Sequence, residues 1–230
     1  MVWRGVAGTP LLELPLELPR EGDYSAGVLN LYHARALAVD ATVRDGAATM
    51  QQSRDRLAAI SKLSITTADE ASAEYLRQEA RIARLEARLD DKGDELGQLF
   101  KWRDAWKPKL KTEKSSLEWE RAALWYNAAA ANSFSAARAQ ERGPSTGGLK
   151  AAVQLYQVAA GCLEAAHDLV KPNIWGLTPA WKPDSLTPDL GLDCLCALRD
   201  LMLAHAQQAR PARASPACLT RLLASLPGRC

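Results

Sequence analysis

The sequence predicts an all-α fold, in which long helices form a solenoid or a bundle. Apolar residues recur at intervals of three, four or seven over most of the chain. Helix-start signatures precede two of these segments, and no stretch alternates between apolar and polar residues for long enough to indicate a strand. Helices of this kind pack as bundles or as solenoids of paired helices. No clean repeat of about 34 residues identifies a tetratricopeptide array.

The composition is that of an ordinary globular protein. The 230 residues are 47% apolar and 24% charged, with a net charge of +2. Neither nucleic acid nor an anionic membrane is therefore favoured as a partner, because both attract concentrated Lys and Arg. No apolar run approaches the roughly 18 residues of a membrane-spanning helix, and the first residues lack the continuous apolar core of a signal peptide. The five scattered cysteines indicate free thiols in a reducing compartment, hence a cytoplasmic protein.

The chain is predicted to have two parts. Residues 1–21 contain Pro10, Pro15 and Pro19 among leucines, a pattern typical of an extended segment, and we expect this segment to pack on the body of the protein. Residues 22–230 are expected to form a single helical domain.

The first helical pattern runs as one long helix from Tyr24 to Ile60, weakened at Gly46 by roughly 1 kcal/mol relative to alanine. Its apolar stripe consists of Leu29, Tyr32, Ala36, Val39, Val43, Met50, Leu57 and Ile60. The next helix begins at the capping box Thr67-Ala-Asp-Glu70, whose hydroxyl and carboxylate can satisfy free N–H groups. One face of this helix carries Tyr75, Ile82, Leu85 and Leu89, and its charged faces are expected to be solvated.

A second capping box, Ser115-Ser-Leu-Glu118, begins the helix that we expect at the centre of the fold. Its alanine run, Ala128–Ala131, allows another helix to approach closely. Trp119 and Trp125 are six residues apart, so they face different sides and are expected to pack against two different neighbours. Asn127 is expected to be buried, with a structural hydrogen bond to a neighbouring helix or loop.

The remaining pattern predicts a helix from Leu149, an ordered loop over residues 171–187, and a helix from Pro188 to about Gln208. The loop is expected to be ordered because its large apolar side chains are costly to leave in water. These side chains are Ile174, Trp175 and Trp181. A last short helix begins at Ser215-Pro216.

Candidate catalytic and metal-binding residues are few. Cys194 and Cys196 are the one close cysteine pair, but residues two apart on a helix point in different directions, and a zinc site needs four converging ligands. The three histidines, His33, His167 and His205, each lie inside a helical pattern, where packed or surface positions are expected. No phosphate-binding loop, nucleophile elbow or zinc-protease motif is present. The sequence therefore predicts no enzyme, no cofactor and no metal.

Four segments resemble the motifs of one known family, in order and at similar separations. Phe100-Lys-Trp-Arg-Asp-Ala105 resembles F-x-W-x-D-A, and Ser116–Ala130 resembles S-L-x-aromatic-E-K-x-x-V-L-F-N-x-A-A. Gly148–Gly161 resembles G-L-K-x-A-x-x-x-Y/F-Q-x-A-x-G, and Leu201–Gln208 resembles L-M-L-A-Q-A-Q-E. Over residues 100–208 the chain therefore resembles the BRO-one domain family, of the ALIX and rhophilin type.

The resemblance implies a fold of long helices in a curved, tetratricopeptide-like solenoid or bundle. It also implies a non-enzymatic adaptor in endosomal (multivesicular body) sorting, cytoplasmic and peripheral on endosomes. The implied partner is an ESCRT-III core subunit, whose amphipathic C-terminal helix lies on the domain surface. Matched motif by motif, the implied partner-binding residues are Lys150, Arg213, Leu222 and Leu226. Three positions depart from the family pattern: Arg210 replaces an aromatic anchor, Thr146 replaces an acidic residue, and Pro211 interrupts a helix.

Several alternatives stay open at this point. The family's domain continues well beyond Cys230, so the domain over 22–230 is expected to be incomplete at its C-terminus, as a divergent short form or a fragment. Leu222 and Leu226 form either a partner patch or the core face of a last helix. The scaffold binds ESCRT-III, acts in signalling in the manner of rhophilins, or has lost ESCRT-III binding. An enzyme that uses a cysteine is the remaining hypothesis.

Overall fold

The computed structural model describes residues 24–60, 63–64, 66–89, 96, 99–107, 109–142, 147–176, 180–182 and 185–209. Within these ranges the chain forms six α-helices, one β-hairpin and one 3₁₀ turn. The elements are α1 (Tyr24–Ala34), α2 (Ala41–Ala58), α3 (Ala68–Leu89), β1 (Phe100–Arg103), β2 (Lys111–Lys114), α4 (Leu117–Glu141), α5 (Gly148–Trp175), the 3₁₀ turn (Pro188–Leu190) and α6 (Leu192–Gln208). The predicted all-α class is confirmed.

Helix α4 is the centre of the fold, because α3 packs on one side of it and α5 on another. Early in α4, the Glu118 carboxylate accepts a hydrogen bond from Asn173 Nδ2, late in α5, at 2.7 Å. Late in α4, the Gln140 amide oxygen accepts one from Tyr156 Oη, early in α5, at 3.4 Å. The two helices are therefore antiparallel. The alanine run Ala128–Ala131 is fully buried, as the small side chains predicted.

The contact between α3 and α4 combines apolar packing with polar bonds. Asn132 Nδ2 donates to Ser72 Oγ at 2.7 Å, near the start of α3. Arg121, near the start of α4, pairs with Glu79 at 2.9 Å and with Glu86 at 2.5 Å. These bonds show that α3 and α4 are also antiparallel, so the chain runs back and forth from helix to helix.

Helix α2 is joined to α3 by a partly buried carboxylate, Glu74. This carboxylate accepts hydrogen bonds from Ser53 Oγ, from Arg56 at 2.8 Å and from Arg77 at 2.9 Å. Burial alone would raise its pKa, but the three donors outweigh burial and lower the pKa to about 2. The carboxylate therefore stays ionised wherever the protein is folded near neutral pH.

A buried ion pair joins α2 to α4. Arg54 Nη1 lies 3.1 Å from Glu120 Oε1, and the two side chains are only 2% and 1% exposed. Trp102 Nε1, on β1, donates to the other carboxylate oxygen of Glu120 at 2.7 Å. The Arg54 guanidinium also lies over the Phe100 ring, 5.3 Å from its centroid. Phe100, Trp102 and the ion pair therefore form one buried unit.

The single long helix predicted from Tyr24 is wrong, because the chain breaks between α1 and α2. Ala36 has a positive φ of 53°, and the Leu37 N–H donates back to the Tyr32 carbonyl at 2.8 Å, which ends α1. The Asp40 carboxylate then accepts from the Val43 N–H at 2.9 Å and caps α2. The apolar stripe continues across the break, so periodicity alone did not indicate it.

A short antiparallel hairpin, β1–β2, is the second departure from the prediction. Phe100 pairs with Lys114 and Trp102 with Thr112 in its register. Phe100 and Trp102 are buried, whereas Lys101 between them is partly exposed. This alternation extends over only four residues, too few for a period of two to stand out in the sequence.

The second predicted capping box is displaced by one residue. The cap of α4 is Ser116, whose Oγ accepts from the Trp119 N–H at 3.4 Å. Glu118 is therefore one position too early to complete a box, and its carboxylate binds Asn173 instead. Helix α3 begins at Ala68, directly after the predicted Thr67.

Two predictions about the loop after α5 are corrected. Ile174 and Trp181 are buried as expected, but Trp175 is 66% exposed. It belongs to the last turn of α5, two residues after the inward-facing Asn173, and so points away from α4. The predicted helix from Pro188 is a 3₁₀ turn, and α6 begins only after Gly191, whose backbone is extended.

Two buried aspartates join the segment after β1 to the 3₁₀ turn. The Asp189 carboxylate accepts from the Ala105 N–H at 2.9 Å, and the Asp104 carboxylate accepts from the Asp189 N–H at 3.2 Å. Asp104 also accepts from the N–H groups of Trp106 at 2.9 Å and Lys107 at 2.6 Å. The aspartate and alanine of the F-x-W-x-D-A motif therefore hold this turn against the start of α6.

The Asp189 carboxyl should make stability depend on pH. Burial, and to a lesser extent the nearby Asp104 carboxylate, raise its pKa from 3.8 to about 6, against the hydrogen bonds that it accepts. The folded chain therefore holds this proton more tightly than the unfolded chain. The resulting stabilisation is fully present below about pH 4 and is lost as the pH rises to 6, by ~1–3 kcal/mol.

Urea unfolding at pH 4, 5 and 6 checks this prediction. The stability of the wild type relative to Asp189→Asn should decrease across that window. The matched control is Asp193→Asn, an exposed aspartate in the first turn of α6. A difference between wild type and Asp189→Asn that stays constant with pH would contradict the prediction.

Candidate functional site

Helices α5 and α6 form the surface that carries Lys150, the one predicted site residue within the described ranges. The Tyr156 ring, early in α5, stacks on the His205 imidazole, late in α6, with centroids 5.3 Å apart and planes at 28°. The start of α5 therefore lies beside the end of α6. Burial lowers the pKa of His205 and raises that of Tyr156, so both rings are uncharged near neutral pH.

Lys150 is exposed in the first turn of α5. This turn begins at Gly147, whose φ of 72° lies in the left-handed region that favours glycine. Lys150 precedes Tyr156 by six residues, or about 9 Å along the helix axis. It is therefore placed at the end of the helix pair where α6 ends.

The other three predicted binding residues lie outside the described residues. They are Arg213, Leu222 and Leu226. The three positions that depart from the family pattern, Thr146, Arg210 and Pro211, also lie outside them.

The outer face of α6 carries an exposed strip that the sequence reading missed. Ala197, Leu201, Ala204 and Gln208, here called the α6 strip, follow each other at intervals of four, three and four residues and are all exposed. Leu201 is 37% exposed. The opposite face is buried and consists of Leu192, Leu195, Leu198, Met202 and Ala206. Among the described residues, the strip is an unpartnered helical ridge of two alanines and a leucine that ends at a glutamine.

The exposed face of α5 is polar, with Lys150 near its start, while toward its end Glu164 and Asp168 outnumber Lys171. Its residues recur at intervals of three or four and are Lys150, Gln154, Gln157, Gly161, Glu164, Asp168 and Lys171. Val158 lies next to this face and is also exposed. By helical rise from the Tyr156–His205 contact, Val158 and Leu201 lie at similar heights along the antiparallel pair. The two helices together present apolar side chains flanked by charge.

The thiols near this region are poorly suited to nucleophilic chemistry. Burial raises the pKa of Cys162 to about 12. Burial, with Asp189 and Asp104 nearby, raises that of Cys194 to about 11. A nucleophilic cysteine reacts as the thiolate, which these environments disfavour at neutral pH. Over the described part of the chain, no three or more His, Cys, Asp or Glu side chains are grouped so as to hold a metal ion.

None of the described helices combines the length and the apolar character that crossing a bilayer requires.

Two solved structures are similar to this chain. One is described as an ALIX BRO1 CHMP4C complex, with a TM-score of 0.66, 20% identity, and coverage of 88% of this chain and 55% of that chain. The other is a crystal structure of ALIX in complex with the SIVmac239 PYKEVTEDL late domain, with a TM-score of 0.67, 21% identity, and coverage of 88% and 28%. This chain thus spans about half, or less, of the length of these relatives.

The sequence itself provides the family assignment. No individually curated protein sequence matches the chain. The family model of the BRO1-like domain matches residues 33–215, a range that includes all four motifs and the helices from α2 to α6. The protein therefore belongs to the BRO1-like domain family.

Proposed function

We propose that this protein is a non-enzymatic adaptor whose α5–α6 surface binds an amphipathic helix of an ESCRT-III core subunit. The observation that carries the proposal is the α6 strip, with exposed Ala197, Leu201 and Ala204 at helical spacing. Small side chains let a partner helix approach closely, and Leu201 supplies an apolar anchor. Family membership and similarity to a structure described as an ALIX BRO1 CHMP4C complex support this choice of partner.

The charges on α5 would set the direction of the bound helix. Lys150 lies at one end of the exposed face, and Glu164 and Asp168 lie toward the other. A helix with an acidic end beside Lys150 and a basic end beside the two carboxylates would be favoured over the reverse orientation. We propose that Arg213, Leu222 and Leu226 complete this site. The adaptor would be cytoplasmic and would reach endosomes peripherally, through its partner.

Titration of a fluorescent peptide tests the proposal. The probe is the C-terminal amphipathic helix of an ESCRT-III core subunit, and its anisotropy is followed as protein is added. Leu201→Asp should weaken binding at least tenfold, because it places a charge against the apolar face of the peptide. Lys150→Glu should weaken binding less, and more strongly at low salt, because an exposed charge acts through a screened interaction.

The matched control is Leu37→Asp. Leu37 is an exposed leucine in the connection between α1 and α2, so its replacement should leave the affinity unchanged. Absence of measurable binding by the folded wild type would refute the ESCRT-III assignment. It would favour a signalling scaffold of the rhophilin type or a form that has lost this partner.

Leu222→Asp separates the two interpretations of the C-terminal leucines. If Leu222 contacts the partner, the substitution should abolish peptide binding and leave the thermal midpoint unchanged. If it belongs to the core face of a last helix, the midpoint should fall by several degrees, because a buried charge is costly. A fall in the midpoint would remove Leu222 from the proposed binding site.

A further inference from the structure

A groove lies between α1, α2 and α3, the first three helices of the chain. It is separate from the α5–α6 surface and has no assigned occupant. Its volume is about 380 Å³, within the usual range of ligand-binding clefts. Its apolar lining consists of Val28, Tyr32, Val43, Ala47, Met50 and Leu85. The groove can therefore accept apolar side chains along its length.

One wall of the groove is basic. Arg81, Arg84 and Arg88 line it from α3, at spacings of three and four residues, which place them on one face of the helix. Arg81 lies 3.6 Å from the Glu74 carboxylate, whereas Arg84 and Arg88 have no ion-pair partner within the described ranges. Asp40 is the one acidic residue of the lining, and its carboxylate already caps α2. The groove therefore favours an occupant that is both apolar and acidic.

We infer that this occupant is the chain's own N-terminal segment, residues 11–18. The segment reads Leu-Leu-Glu-Leu-Pro-Leu-Glu-Leu, so leucines alternate with Glu13, Pro15 and Glu17. In an extended conformation, successive side chains point to opposite sides. Leu12, Leu14, Leu16 and Leu18 would then face the apolar lining. Both glutamates would lie on the other side, together with Leu11, within reach of the long arginine side chains.

The spacing of the charges permits this arrangement. Glu13 and Glu17 are four residues apart, or about 13 Å in an extended chain. Arg84 and Arg88, the two arginines without an ion-pair partner among the described residues, are four residues apart on α3, or about 6 Å along the helix. Because both arginine side chains are long and flexible, their guanidinium groups can spread apart toward the two carboxylates.

The covalent connection favours this occupant over a separate partner. Residues 19–23 join the segment to α1, and Val28 and Tyr32 of α1 themselves line the groove. A linker this short gives the tethered segment an effective concentration in the millimolar range. A soluble acidic peptide would have to compete with a segment that is always present.

Zero-length cross-linking of the full chain tests the proposal. In Arg84→Lys/Arg88→Lys, a carbodiimide would join a new lysine amine to a carboxylate as an amide. Mass spectrometry should find residue 84 or 88 linked to Glu13 or Glu17. Arg77→Lys is the matched control: it lies on the same helix outside the groove and pairs with Glu74, so it should show no link to either glutamate.

A mixture of isotopically heavy and light protein determines whether the links lie within one chain. Links between heavy and light chains would assign the groove to a second copy and overturn the inference. Links from residues 84 and 88 only to acidic residues other than Glu13 and Glu17 would overturn it as well.

Charge reversal provides an independent readout. Glu13→Arg/Glu17→Arg and Arg84→Glu/Arg88→Glu should each lower the urea midpoint, because each places like charges together. The four substitutions combined should restore at least half of the loss, because opposite charges again face each other. Effects that simply add in the combined variant would show that the two sets of residues do not interact.

Discussion

Replacing Trp119 with alanine is expected to lower the free energy of unfolding by ~3–5 kcal/mol. The indole is fully buried near the start of α4. It meets the Trp181 ring edge to face, with centroids 5.7 Å apart and an interplanar angle of 88°. Lys114 Nζ lies 5.9 Å from its centroid. The substitution would leave a cavity between α4, β2 and the segment after α5, so both the apolar transfer and these ring contacts would be lost. Urea unfolding followed by circular dichroism measures the effect.

Two other tryptophans serve as controls for this prediction. Trp175 is 66% exposed, so Trp175→Ala should change stability by no more than about 0.5 kcal/mol. Trp125 is half-buried and packs on the edge of the core, so its replacement should have an intermediate effect. A Trp119→Ala protein with an unchanged urea midpoint would show that α4 is not the centre of the fold.

Breaking the buried Arg54–Glu120 pair should have an effect of similar size. Glu120→Leu alone is expected to cost ~3–5 kcal/mol, because it leaves the Arg54 guanidinium charged and buried without its carboxylate. Arg54→Met alone should be comparably destabilising. Burial raises the pKa of Glu120, and the Arg54 charge opposes that rise. Without Arg54 the Glu120 carboxylate would be buried without its opposite charge. The double variant Arg54→Met/Glu120→Leu should recover part of the loss, since two apolar side chains of similar length need no charge partner. The rest of the loss should persist, because the buried Trp102 N–H no longer has the Glu120 oxygen as its acceptor.

A double-mutant cycle by urea unfolding measures this coupling. The control cycle uses Arg138 and Glu141, an exposed pair at the end of α4 with a separation of 3.0 Å. That pair should contribute less than about 1 kcal/mol, because its charges are solvated. If the loss in the Arg54/Glu120 double variant equals the sum of the single losses, the pair is not an isolated buried unit.

Regular helical segments were predictable because their apolar residues follow one period. Helix α3 begins directly after Thr67, and α6 ends at Gln208, as predicted. The break after α1 was not predictable in this way, since it depends on Ala36 adopting a left-handed conformation, which no residue pattern indicated. The hairpin was missed because four residues per strand give too short an alternation.

Contacts between segments that are distant in the chain could not be predicted from local sequence patterns. Asp104 and Asp189 are 85 residues apart, yet each accepts a hydrogen bond from the backbone of the other's segment. Asn127 was correctly expected to be buried, but its side-chain amide has no hydrogen-bond partner among the described residues. The predicted bond from Asn127 to a neighbour is therefore not found there. Burial follows from the apolar residues on either side of it, whereas pairing depends on the neighbouring helix.

In the candidate site too, some features follow from the local sequence and others depend on how the helices pack. Lys150 lies exposed in the first turn of α5, and its role in partner binding stays a prediction. The α6 strip was missed because α6 carries two apolar stripes, one through Leu198 and Met202 and one through Leu201 and Ala204. Periodicity does not indicate which of them faces the core. The packing against α5 decides this, and it leaves the second stripe exposed.

Hydrogen exchange, measured with and without the ESCRT-III helical peptide, tests the central claim most directly. If the α5–α6 surface is the binding site, the peptide should slow exchange in residues 197–208 and in the first turns of α5. The groove between α1, α2 and α3 should be unaffected. Peptide-induced protection confined to other helices, or no protection at saturating peptide, would contradict the claim.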